Sequence, residues 1–262
     1  MKTVELRDAT LNVIDVGSGP VLLLVHGFPL DHTMWQAQID SLCDTFRVVA
    51  PDLRGFGTST GATQTMTMAQ FADDMNELLD ALDIKEQITF CGLSMGGYVA
   101  WQFWKRHANR LARLILCDTR AISDTEEGAR GRITMAQRVL DEGSSIMAEA
   151  MLPKLFAESS TNEHKAIIEA TRRVIVTTAP VSVAGALRGM AQRPDMTSEL
   201  PNIDVPTLVI CGEHDAISTV GEMRAIAEHL PNARFVELAD SGHMSPLESP
   251  HAFNSAIREF LV

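Results

Sequence analysis

Ile88-Thr89-Phe90-Cys91-Gly92-Leu93-Ser94-Met95-Gly96-Gly97 opens as an apolar run and breaks into the spacing Gly92-x-Ser94-x-Gly96. A short apolar run that ends on glycine is a buried-strand signal. A helical pattern from Gly96 to His107 follows. G-x-S-x-G between a strand and a helix predicts a sharp turn that presents a strained serine at the carboxyl end of a sheet. Small residues on both sides of Ser94 let two backbones pass closely. The helix N-terminus behind the serine points amide donors at it and favours a developing oxyanion. The motif alone arises by chance in many sequences; the strand before it and the helix after it give it meaning.

Similar runs recur along the chain. Val21–Val25, Arg47–Ala50, Leu114–Cys117 and Leu208–Cys211 are short and apolar, and Phe235–Leu238 is a weaker example. Continuous apolar strands, as opposed to alternating ones, predict a parallel sheet covered on both faces. Two earlier segments, Thr3–Leu6 and Leu11–Val16, alternate and predict an antiparallel edge. Helices fall between the strands. Met68, Phe71, Ala72, Met75, Leu78, Leu79 and Leu82 follow the spacing of one apolar helix face, with Thr67 placed to cap it. Val220–Leu230 and Pro250–Leu261 are further helices. Strand–helix alternation of this kind predicts an α/β fold with right-handed crossovers.

The rhythm breaks between about Arg120 and Leu200. No good buried strand occurs there, only amphipathic stretches punctuated by Gly143, Pro153, Pro180 and Pro194. The pattern resumes at Val205-Pro206-Thr207-Leu208. The expected organisation is a core of residues 1–120 and 201–262 with a helical cap inserted at 121–200. From Arg120 to Leu200 the chain holds 10 basic and 11 acidic residues, which leaves 12 basic and 23 acidic on the rest. The insertion is thus near neutral on an acidic body.

With 262 residues, 45% hydrophobic and 21% charged, the chain can bury a large core without disulfides or metal. Its net charge of −12 and the lack of any Lys/Arg run exclude a generic nucleic-acid binder and disfavour an anionic membrane surface. No apolar stretch approaches the roughly 18 residues of a membrane span. The N-terminal MKTVELRDAT does not resemble a signal peptide. Cys43, Cys91, Cys117 and Cys211 are scattered, and three of them end apolar runs. They read as small buried thiols, and a cytoplasmic location is expected.

Three more stretches bring chemistry to the carboxyl edge of the sheet. In His26-Gly27-Phe28-Pro29 a flexible Gly27 would turn the Phe28 amide inward, where it and the Met95 amide would form a two-donor oxyanion hole. His26 itself reads as a structural histidine at a strand end. His243, in Asp240-Ser241-Gly242-His243-Met244, sits on a glycine-flexed loop and suits a general base that then acts as acid. Asp215, in Cys211-Gly212-Glu213-His214-Asp215, suits the carboxylate that orients it. Asp118, after the strand ending at Cys117, is the rival for that role. The order Ser94, Asp215, His243 has gaps of 121 and 28 residues, and the insertion fits inside the first. In Asp52–Ser59 the glycines and an Asp52/Arg54 pair are expected to brace a loop. Leu30, Trp35 and Met244 are candidates to touch substrate, with core packing as the alternative for each. No metal site is read.

These motifs together resemble the α/β-hydrolase fold: HGFP at His26, DLRGFGTS at Asp52, GLSMGG at Gly92, VPTLVICGEHD at Val205 and SGHMSPLESP at Ser241. The resemblance covers about residues 10–120 and 200–262. It implies a mostly parallel eight-stranded sheet with helices on both faces and an inserted helical cap. FCGLSMGG followed by LARLILCDTR is similar to the 3-oxoadipate enol-lactonase-like esterases. That implies a cofactor-free serine hydrolase of a small ester or lactone. Related members of the fold with an Asp nucleophile are excluded by Ser94. The same serine chemistry could instead cleave a carbon–carbon bond or make a peracid, and the fold could serve as a ligand sensor. Arg130, Arg132, Arg138, Arg172, Arg173 and Arg188 offer one candidate to hold a substrate carboxylate. Oligomeric state is not legible.

Overall fold

The computed structural model describes residues 1–159 and 164–262. Its centre is an eight-stranded sheet in the order β1-β2-β4-β3-β5-β6-β7-β8. The strands are β1 (Lys2–Glu5), β2 (Thr10–Val16), β3 (Val21–Val25), β4 (Arg47–Pro51), β5 (Ile88–Leu93), β6 (Leu111–Cys117), β7 (Thr207–Gly212) and β8 (Ala233–Leu238). The alternating segments β1 and β2 pair antiparallel at one edge, as their pattern predicts. The other pairings are parallel. Every residue of β3, β5 and β7 is buried, which explains their unbroken apolar runs. The weaker signal of β8 has a physical cause: it is the far edge strand, and most of its residues keep some exposure.

Helices α1 (Gln36–Leu42), α2 (Met68–Ala81) and α3 (Met95–His107) connect the first strands. Thr67 caps α2 as expected, accepting the Gln70 N–H at 3.1 Å. α2 packs along α3, with Met68, Phe71, Ala72, Met75, Leu78 and Leu79 buried. Between β6 and β7 lie α4 (Glu126–Glu142), α5 (Ser145–Leu155), α6 (Lys165–Thr177) and α7 (Pro180–Ala191), the inserted helical cap. α7 docks on the core segment before α2, where Met66 N–H donates to Gly185 O at 3.0 Å. Helices α8 (Val220–His229), the short α9 (Ser245–Glu248) and α10 (Pro250–Leu261) close the chain. Among the described residues no single helix is long and apolar enough to cross a membrane.

Loop bracing in Asp52–Ser59 differs from the expected Asp52/Arg54 pair. Asp52 accepts the His32 N–H, the His32 imidazole and the Thr58 N–H. Arg54 turns the other way and grips both oxygens of Asp74 at 2.6 Å, with Asp8 as a third contact. Each of these two buried charged groups thus finds its own partners, and the two do not pair with each other. Trp35 is fully buried and packs on Phe253 at a ring separation of 6.0 Å. Met244 is buried as well, at 1% exposure.

Candidate active site

Ser94 sits between β5 and α3 with φ +53° and ψ −110°, a conformation that costs energy for a residue with a side chain. Its surroundings hold it there. Ser94 N–H donates to Cys117 O at 2.9 Å. Ser94 O accepts from Gly97 N–H at 2.9 Å, Tyr98 N–H at 3.2 Å and the Thr119 hydroxyl at 2.7 Å. The glycines around it are a matter of space. A Cβ on Gly96 would collide with Val25 O, and one on Gly97 with the Thr119 side chain. The sequence pattern pointed to Ser94; it carried no signal for Thr119, which reaches the turn from the end of β6.

Gly27 behaves differently from the expectation. Its φ is not in the left-handed region, and its requirement is close approach. A Cβ there would lie 2.8 Å from Leu93 Cδ2 and 3.5 Å from Ser94 Cβ. The following Phe28 amide and the Met95 amide at the start of α3 have no protein acceptor among the described residues. His26 is structural: its Nδ1–H faces Gly27 O at 2.9 Å and its Nε2 accepts Leu53 N–H at 3.0 Å. Complete burial pushes its pKa down and keeps it neutral.

On the other side of the sheet edge the structure brings Asp215 and His243 together. His243 Nδ1 lies 2.9 Å from Asp215 Oδ2, with both side chains buried. A carboxylate only accepts, so Nδ1 carries the proton and Nε2 keeps a free lone pair. Asp215 has further donors: Ile217 N–H at 2.7 Å and Ser218 N–H at 3.0 Å on Oδ1, and the Ser218 hydroxyl at 2.6 Å on Oδ2. Burial works against its charge, but the His243 bond and charge and these other donors outweigh it, and its pKa is lowered. No hydrogen bond joins Ser94 Oγ to His243 among the described residues; such contacts tighten when substrate binds.

Glu248 holds the histidine loop from below. Its Oε1 accepts from Gly242 N–H at 2.9 Å and Met244 N–H at 3.3 Å, one residue on either side of His243. Its Oε2 accepts from Ala157 N–H in the cap at 2.8 Å. Met244 N–H also reaches Leu155 O at 3.0 Å, so cap and histidine loop are tied directly. The rival acid Asp118 is fully buried and accepts Gly212 N–H at 2.8 Å. It makes no hydrogen bond or ion pair with His243 among the described residues.

Leu30 lines an apolar cavity of about 260 Å³ with Met34, Ile167, Val174 and Leu247 between the β3 loop and α6. The cap arginines are mostly committed elsewhere. Arg132 pairs with Asp124, Arg138 with Glu142, Arg130 with Glu126 and Arg172 with Glu169, while Arg188 donates to Gln64 O. Among the described residues three clusters carry ligand-type atoms, including Asp31/His32/Asp52 and Asp118/Cys211/Asp215. In these two, the Asp52, Asp118 and Asp215 carboxyls already accept protein hydrogen bonds.

The alpha/beta hydrolase fold family model matches residues 20–250. A thermophilic esterase from Thermogutta terrifontis, solved with malate bound, is 46% identical with a TM-score of 0.97, covering 99% of this chain and 97% of that one. The enol-lactonase from Burkholderia xenovorans is 32% identical with a TM-score of 0.92, covering 99% of each chain. 3-Oxoadipate enol-lactonase 1 of Acinetobacter baylyi is 29% identical over 236 residues, 90% of this chain and 86% of that protein. The chain belongs to the alpha/beta hydrolase fold family. It is an enzyme of the serine-hydrolase type.

Proposed function

We propose that the protein hydrolyses a small carboxylic ester or lactone through an acyl-enzyme on Ser94. Asp215 orients His243 and stabilises its charged form. His243 Nε2 takes the Ser94 proton as Oγ attacks the carbonyl carbon. The Phe28 and Met95 amides, which lack protein acceptors among the described residues, receive the developing oxyanion. The tetrahedral intermediate collapses, and His243 gives the proton to the leaving oxygen. From an ester an alcohol departs; from a lactone the freed hydroxyl stays on the acyl chain. Water, deprotonated by His243, then attacks the acyl-enzyme and releases the acid.

The observation that carries this reading is the strained Ser94 at the β5–α3 turn, on the sheet edge that also bears the buried Asp215–His243 pair. The esterase and enol-lactonase relatives support the substrate class. We assign residues 1–120 and 201–262 to the catalytic core and 121–200 to the cap. Hydrolysis of p-nitrophenyl acetate, butyrate and octanoate by the parent and by Ser94→Ala tests the reading. Turnover at background in the variant supports it, and equal turnover in both removes it.

A further inference from the structure

Asp118 is a fully buried acid that the mechanism above does not use. It stands at φ +45°, in the left-handed region, directly after β6. One carboxyl oxygen, Oδ1, accepts Gly212 N–H at 2.8 Å, and Gly212 ends the strand that leads to Asp215. The other, Oδ2, is hydrogen-bonded to the Ser245 hydroxyl, two residues beyond His243. A single side chain therefore ties the loop that bears the acid to the loop that bears the histidine. It also lies in the same buried volume as the acid itself: carboxyl oxygens of Asp118 and Asp215 and the Cys211 sulfur fall within 4.8 Å of one another.

Charge balance in this volume is unusual. Asp118, Asp215 and Glu248 are all buried around the His243 loop. Among the described residues no lysine or arginine pairs with any of them. Among the described residues the imidazole of His243 is the group paired with these acids that can bring positive charge, and it is bonded to Asp215. Two carboxylates this close in a buried site disfavour each other's ionisation, and the one with fewer donors keeps the proton. Asp215 has four donors and Asp118 has the Gly212 amide and one hydroxyl.

We propose that Asp118 and Asp215 form a buried carboxyl pair that holds one negative charge for His243, with Asp118 as the protonated member and as a reserve for that charge. In this form Asp118 Oδ2–H donates to Ser245 Oγ while Oδ1 accepts from Gly212. Burial, then the Asp215 charge, and also the Glu248 charge push the Asp118 carboxyl well above the usual range, in agreement with the geometry. Burial pushes the Cys211 thiol up, and burial followed by the Cys91 hydrogen bond pushes the Cys117 thiol up. Asp118 is a positioning residue here; it acts through Asp215 and His243 and touches no substrate.

The proposal rests on the roles given to Ser94, Asp215 and His243, but its first test does not. Infrared difference spectra of the parent against Asp118→Asn at neutral pH should show the carbonyl stretch of a protonated carboxylic acid, lost in the variant. Its absence from the parent overturns the proposal whatever the fate of the serine mechanism. In Asp215→Asn that band should vanish, because Asp118 then ionises in place of its neighbour; persistence of the band overturns the reserve role.

Turnover supplies the second test. Asparagine mimics the neutral acid, accepting from Gly212 and donating to Ser245, so Asp118→Asn should fall by less than about tenfold and Asp118→Ala by clearly more. Asp215→Asn should keep residual activity that drops a further tenfold or so when Asp118→Asn is added. A double variant no slower than Asp215→Asn, with both still folded by circular dichroism, refutes the reserve. Loss of all turnover in Ser94→Ala under the same conditions shows that the serine reading stands while the pair is being judged.

Discussion

Replacing Ser218 by alanine removes one hydroxyl from the floor of the site. That hydroxyl donates to Asp215 Oδ2 at 2.6 Å, beside the His243 bond at 2.9 Å on the same oxygen. Ser218 is fully buried, so no exposed side chain is lost with it. A hydrogen bond to a charged group contributes about 1.5–3 kcal/mol. For a chain of this size that corresponds to a Tm lowered by roughly 3–10 °C. Three donors remain, so Asp215 stays ionised at neutral pH and His243 keeps its tautomer. The expected loss in kcat/KM for p-nitrophenyl butyrate is therefore about 3- to 30-fold. The loss for Asp215→Asn, which removes the charge and lets an amide N–H face Nδ1 so that the wrong tautomer is favoured, should approach 10⁴-fold, as order of magnitude. The stability difference also depends on pH. The Asp215 carboxyl is depressed in the folded state, so the stability it contributes is full above its unfolded value near 4 and is lost as pH falls through the folded value. The gap between parent and Ser218→Ala should thus be widest at neutral pH and close in acid. The assay is a pair of pH series, one of thermal melts and one of initial rates. A variant with parental Tm and rate, or a gap that grows in acid, would refute the reasoning.

Two further changes have definite expected outcomes. Glu248→Gln turns an acceptor toward either the Gly242 and Met244 amides or the Ala157 amide into a donor; it should cost about 1–3 kcal/mol of stability and lower kcat more than it raises KM, read from melts and full kinetic curves. Trp35→Ala should destabilise by about 3–5 kcal/mol through loss of packing on Phe253 while leaving KM for acetate and butyrate esters within roughly twofold; a large KM change in a stable variant would return Trp35 to the pocket.

Much of this molecule is legible in local sequence, because local steric rules produced it. Ser94 is announced by glycines that only a tight strand–helix crossing requires. The parallel strands are announced by burial on both faces, and β8 is faint because its edge position leaves it partly exposed. Asp215 and His243 follow strands that end on the same edge. What the sequence hid are contacts between distant segments. Thr119 reaches Ser94 across 25 residues, Glu248 reaches Ala157 across 91, and Asp118 reaches Gly212 across 94. Nothing in a linear pattern says which donors will meet a buried carboxylate. Arg54 shows the same limit, since its nearest acid in sequence was not its partner in space. Ser218 lies three residues from Asp215, and its role becomes visible only once the turn brings its hydroxyl back onto the carboxylate.

Ser94, as proposed, forms the covalent intermediate, and a covalent probe tests this directly. Parent and Ser94→Ala can be treated with a fluorophosphonate, weighed intact by mass spectrometry, digested to locate the adduct, and assayed in parallel on p-nitrophenyl butyrate. A single adduct is expected on the peptide containing Ser94 in the parent and none in the variant. A loss of turnover of about 10⁴-fold or more is expected in the variant. A folded Ser94→Ala protein that still turns over the ester near the parental rate would contradict it.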